Sequence, residues 1–104
     1  MKFLKKLNKL KLAFITGATK GIGRSTAITF ANAGWDLILL ARNIESMEKL
    51  KSELLTTQSK ISLVKCDLSN PLEIENCVKK AIEKYGCPSV LINNAGCAFN
   101  GSLV

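Results

Sequence analysis

Histidine is absent from the 104 residues, and the four cysteines include no Cys-x-x-Cys pair. Cys66, Cys77, Cys87 and Cys97 fall 10 or 11 residues apart, which supplies no compact set of zinc ligands. No apolar run approaches the ~20 residues needed to span a membrane. A secretory leader is not expected: the apolar stretch after the first lysines is only LAFI, which breaks at a glycine turn with no small-residue cleavage site behind it. The cysteines are therefore read as reduced, mostly buried small hydrophobes in a cytoplasmic protein.

Acidic residues are scarce in one place only. The net charge of +7 comes from 15 Lys and Arg against 8 Asp and Glu, and residues 1–12, MKFLKKLNKLKL, hold five lysines and no acid. Without that segment the body is near neutral. The reading is a basic N-terminal arm over residues 1–10, followed by one domain over residues 11–104. Phe3, Leu4, Leu7 and Leu10 give the arm a helical spacing, but so short a segment is a marginal helix on its own. Its lysines are not interleaved with aromatics as a nucleic-acid stacking platform requires.

What is present is an alternation of short apolar runs and amphipathic stretches. Strands are predicted at 12–16, 36–41, 61–66 and 90–93. Helices are predicted at 22–33, 44–56 and 71–85. In the first helix Ile22, Thr26, Thr29, Phe30 and Ala33 share one face, with Gly34 as a left-handed terminator. Ser69 is expected to cap the third helix, which has Pro71 in its first turn and Ile74, Val78, Ala81, Ile82 and Tyr85 on its buried stripe. Strands separated by helices of this length imply βαβ units and a parallel sheet. The fold class is α/β: the N-terminal half of a doubly wound parallel-sheet Rossmann fold, with about four strands and three helices.

The segment TGATKGIG, Thr16 to Gly23, lies at the first strand-to-helix turn. Backbone N–H groups at a helix start favour an anion. Gly17 permits the tight turn, Gly21 lets a pyrophosphate approach the backbone, and Gly23 allows close packing of helix on sheet. A P-loop is excluded, because Lys20 precedes Gly21 instead of following it. In a dinucleotide fold the end of the second strand lies beside the adenine ribose, where an acid bonds the 2′-hydroxyl of NAD. Here the strand ends in Ala41 and Arg42 is next. Arg42, with Lys20 in the glycine turn, suits a 2′-phosphate, so NADP(H) is favoured over NAD(H).

TGATKGIG, then Cys66-Asp67-Leu68, then Asn93-Asn94-Ala95-Gly96, in that order, resemble the N-terminal half of the short-chain dehydrogenase/reductase family. The resemblance runs from residue 11 to residue 104. It implies hydride transfer between NADPH and a carbonyl or alcohol. By that resemblance Gly17, Thr19, Lys20, Gly21, Ile22 and Gly23 wrap the pyrophosphate side of the cofactor, and Arg42 joins Lys20 at the basic position. Asp67 accepts from the adenine amino group with Leu68 beside it. Asn93, Ala95 and Gly96 line the nicotinamide ribose, while Asn94 steadies the sheet.

The family's chemistry uses a Tyr-x-x-x-Lys pair and a preceding Ser. Tyr85 is the one tyrosine, and the residue four positions on is Ser89. No catalytic residue is therefore assigned, and the chain is expected to be inactive alone. The alternatives are a non-catalytic NADP-binding module, or one part of a split enzyme completed by a second chain. The fourth strand is expected to form an exposed apolar edge that pairs with a partner or with itself, leaving a marginal fold that NADP(H) stabilises. No nucleic acid and no membrane span are expected.

Overall fold

The computed structural model describes residues 11–93. The arm at 1–10, Asn94, Ala95, Gly96 and Cys97 lie outside them. Leu12–Thr16 (β1) and Asp36–Ala41 (β2) are the sheet's central strands, and both are buried along nearly their whole length. Their unbroken apolar sequences, LAFIT and DLILLA, reflect burial on both faces, the usual state of a parallel strand covered by helices. Ile61–Lys65 (β3) and Val90–Asn93 (β4) flank them and are only partly buried. The order is β3-β2-β1-β4, and every pairing is parallel.

Alternation along the strands sorts side chains onto two faces. On one face Ala13, Ile15, Leu37 and Leu39 pack with Ala27 and Ala31 of Gly21–Asn32 (α1), and with Met47 and Leu50 of Ile44–Glu53 (α2). On the other, Leu12, Phe14, Ile38 and Leu40 pack with Ile74, Val78 and Ala81 of Pro71–Tyr85 (α3). Helices thus cover both faces, as a doubly wound α/β fold requires.

The buried residues of α1 are Gly23, Ala27 and Ala31 rather than the face from Ile22 to Ala33, and Ile22 is 78 % exposed. The helix lies close against the sheet, so its inner face selects small residues; Phe30 instead meets Trp35 edge-on at 5.1 Å. Two expectations are corrected. The cap of α3 is Asn70, whose side chain accepts from the N–H of Leu72 and Glu73 at 3.1 and 3.4 Å. Ser69 is occupied with Asp67 instead. Helix α2 ends at Glu53 rather than 56, and the chain then turns through Thr57, whose N–H donates to Leu54 O at 3.1 Å. Of the cysteines described, Cys66 is buried, Cys77 half-buried and Cys87 exposed, and no disulfide joins them.

Candidate functional site

From β1 the chain steps outward to β2 and β3, then returns across β1 to β4. It leaves β1 toward one side of the sheet and reaches β4 on the other, so a crevice opens at the carboxyl ends of these two neighbours. Open α/β sheets bind ligands there. Thr16 and Asn93 are partners in register at those ends.

Thr16 holds the crevice together. It is 2 % exposed, and its hydroxyl lies 2.9 Å from Asn93 Oδ1 and 3.4 Å from the Ile92 carbonyl. A hydroxyl has one proton to give, and the shorter contact ties the start of the glycine turn to the end of β4. Thr16 is not among the residues that the sequence assigns to the site. Its signal in the sequence is a polar residue closing an otherwise apolar strand.

The glycine turn comes directly after it. Gly17 takes φ 63° and its N–H donates to Leu40 O at 3.2 Å, which pins the turn to β2. Ala18 is buried, Thr19 half-buried, and Lys20 and Gly21 exposed. Gly21 has φ +54° and nothing within 4 Å of the place a Cβ would occupy, so a ligand can reach its backbone. Gly23 is the reverse: a Cβ would stand 2.1 Å from the Gly17 carbonyl oxygen. The start of α1 folds back onto its own turn, and only a glycine fits.

No side chain caps α1, and its first turn holds no acid. Helices α2 and α3 are capped by Asn43 and Asn70 and each has a glutamate in the first turn. The N–H groups of Gly21, Ile22 and Gly23 have no partner four residues earlier within the helix. The electropositive end of α1 is thus left for an anion at the mouth of the crevice. Ile22 is exposed at this end.

Arg42 is exposed just beyond β2. Asp67 lies shortly after β3, and its Oδ1 accepts from the N–H and hydroxyl of Ser69 at 3.0 and 2.6 Å. These bonds, the hydroxyl's first, hold its carboxyl below the usual value, and the Arg42 charge adds to the effect. Asp67 is therefore an acceptor with a settled orientation. Leu68 packs beneath it on the α3 face of the sheet. Beside them burial pushes the Cys66 thiol far up, with Cys77 and the Glu73 and Asp67 charges acting in the same direction. Cys66 stays protonated and packs as a small hydrophobe. The structure brings Gly17 to Gly23 and Asn93 to one crevice, with Arg42 and Asp67 after the neighbouring strands. Ala95 and Gly96 are outside the described residues.

Tyr85 lies elsewhere. It shares a cleft with Leu12, Asp36 and Ile38, the amino-terminal half of the central strands. The crevice is at their carboxyl ends, so Tyr85 takes no part in it.

The short chain dehydrogenase family model matches residues 11–103. The chain belongs to this family. Oxidoreductase UcpA of Escherichia coli is 42 % identical over 94 residues, which cover 90 % of this chain and 35 % of that protein. The structure of L-sorbose reductase from Gluconobacter frateurii, complexed with NADPH and L-sorbose, matches with a TM-score of 0.75 and 29 % identity, over 88 % of this chain and 35 % of that one. Actinorhodin polyketide ketoreductase with NADPH gives 0.74 and 33 %, over 91 % and 36 %. The chain spans about a third of the length of the curated relatives it matches. Among the described residues no helix is long and apolar enough to cross a membrane.

Proposed function

We propose that this chain is the NADP(H)-binding portion of a short-chain oxidoreductase that moves hydride between NADPH and a carbonyl or alcohol. The single observation that carries the reading is the uncapped, acid-free start of α1 behind an open Gly21, at the crevice between β1 and β4. The N–H groups of Gly21, Ile22 and Gly23 would hold the pyrophosphate, with Thr19 beside them. Asp67 would accept from the adenine amino group, and Asn93 would position the nicotinamide ribose from the end of β4, with Ala95 and Gly96 after it. When bound, NADPH supplies the hydride. The residues of this chain bind and orient; none supplies the proton.

Preference for NADP(H) over NAD(H) rests on the basic residues near the end of β2. Arg42 stands where a carboxylate would have served a ribose hydroxyl, and Lys20 is exposed in the glycine turn. A charge-assisted hydrogen bond is worth about 1.5–3 kcal/mol, so Arg42→Ala should weaken NADPH about 10-fold or more and leave NADH nearly unchanged. Calorimetric titration with both cofactors tests this. Equal affinity for the two in the unaltered chain would defeat the preference.

The Ser and the Tyr-x-x-x-Lys pair of the family do not occur in these 104 residues. We therefore expect cofactor binding without turnover from them alone. The proton-transfer groups would come from further sequence, in the same polypeptide or in a second one. The open edge of β4, with Val90, Leu91 and Ile92 only half-buried, is where such sequence would pair.

A further inference from the structure

Two thiols that the cofactor reading does not use meet where β3 joins α3. Cys66 follows the last residue of β3, and Cys77 lies in the second turn of α3. Their contacts are reciprocal. The Cys66 thiol donates to the Glu73 carbonyl at 3.9 Å, one helical turn ahead of Cys77. The Cys77 thiol donates to the carbonyl of Lys65, the residue before Cys66, at 3.8 Å. The two side chains are also hydrogen-bonding neighbours and pack in the same apolar cluster. The backbone beneath them is fixed: the Cys66 N–H donates to Ala41 O at 2.9 Å, and the Asp67 N–H donates to Glu73 Oε2 at 3.1 Å. Their access to solvent differs. Cys66 is buried, whereas Cys77 is half-buried and lines a cavity of about 540 Å³ between β3 and α3.

We propose that Cys66 and Cys77 are a redox site: a peroxide converts them to a reversible disulfide that joins the end of β3 to α3. The cavity admits the oxidant to Cys77 and leaves that side chain room to turn toward Cys66. The Cys77 sulfur attacks the peroxide, an S–O bond forms, the O–O bond breaks, and the departing hydroxide takes the thiol proton as water. Cys66, which keeps its proton in the reduced chain, then attacks the Cys77 sulfur. An S–S bond forms, the S–O bond breaks, and the leaving hydroxide carries off the Cys66 proton as a second water. Two thiols and one peroxide thus give one disulfide and two waters, the sulfurs supplying both electrons. A thiol reductant reverses the step by exchange. The loop that the bond closes, residues 66–77, carries Asp67, Leu68 and the first turn of α3, so oxidation locks this corner of the fold. The site needs no bound cofactor, and it stands or falls apart from the NADP(H) reading.

The test is to treat the full chain with equimolar hydrogen peroxide, alkylate the remaining thiols under denaturing conditions, and map the peptides without reduction. A Cys66–Cys77 link that dithiothreitol removes is the expected product. The same link should form in a Cys87→Ser, Cys97→Ser variant, which takes the other two thiols out of the reaction. In that variant the oxidised chain should melt about 5 °C or more above the reduced one, because the bond closes a loop in the unfolded chain. Cys77→Ser should leave Cys66 unoxidised, since the buried sulfur has no direct access to the peroxide. Cys66→Ala should leave Cys77 to go on to the sulfinic acid. Recovery of Cys66 as a free thiol beside a sulfinic Cys77 in the Cys87→Ser, Cys97→Ser variant would overturn the proposal. A melting midpoint that falls on oxidation would overturn the locking role.

Discussion

Replacing Gly23 by alanine probes the close backbone approach between the start of α1 and its own turn. An alanine Cβ would stand 2.1 Å from the Gly17 carbonyl oxygen, 2.9 Å from its carbon and 3.2 Å from the Ala18 Cα. All three are backbone atoms, so no flexible side chain can give way. The Gly17 peptide is itself tied to β2 through its N–H and Leu40 O at 3.2 Å. Relief requires the helix start and the turn to separate by about 1 Å. Overpacking of this kind costs about 3 kcal/mol, and the better helix propensity of alanine returns up to about 1 kcal/mol. The net loss of about 2 kcal/mol is a large part of the ~5–15 kcal/mol that holds a domain together. In urea the midpoint should fall with an unchanged slope, and melting should drop by roughly 10 °C. Gly21→Ala is the control: it meets no atom within 4 Å, and its φ of +54° alone costs about 1 kcal/mol. Gly21→Ala should therefore unfold later than Gly23→Ala, yet lose as much NADPH affinity, because its methyl stands where the ligand approaches. Equal urea midpoints for Gly23→Ala and the unaltered chain would refute the close-approach argument.

Other contacts carry their own expected outcomes. Thr16→Val keeps the shape but removes the hydroxyl that meets Asn93; it should cost about 1 kcal/mol of stability and lower NADPH affinity, both readable from urea melts with and without cofactor. Asn70→Ala removes the cap of α3 and should cost about 1 kcal/mol, with faster amide exchange at Leu72 and Glu73. The depressed carboxyl of Asp67 contributes stability that is present above its unfolded value of about 3.9 and is lost as pH falls through the lower folded value. Ser69→Ala should raise the Asp67 titration midpoint seen by carboxyl NMR; an unmoved midpoint would contradict the assigned cause.

How far the sequence alone reaches differs from element to element. β1 and β2 are plain because central parallel strands are buried on both faces and are written as continuous apolar runs. β3 carries Ser62 and Lys65 because it borders the sheet. The inner face of α1 is hidden because hydrophobicity points to large residues, whereas a helix lying close on a sheet buries small ones. Gly23, Ala27 and Ala31, four apart, are the true stripe, and a search for periodic small residues finds it. The cap of α3 falls one residue later than residue type suggests because Asp67 competes for Ser69, an outcome of side-chain geometry. In the site, the glycine turn is legible from its position between strand and helix. Thr16 is not, because its partner, Asn93, lies 77 residues away and meets it only through the sheet.

The central claim is that the crevice at the carboxyl ends of β1 and β4 binds NADPH. Thermal unfolding in the presence of NADPH at about 100 times its dissociation constant tests it most directly. A ligand that binds only the folded chain adds about 2.7 kcal/mol there, so the midpoint should rise by about 10 °C or more, and by less with the same concentration of NADH. An unmoved midpoint at saturating NADPH would contradict the account.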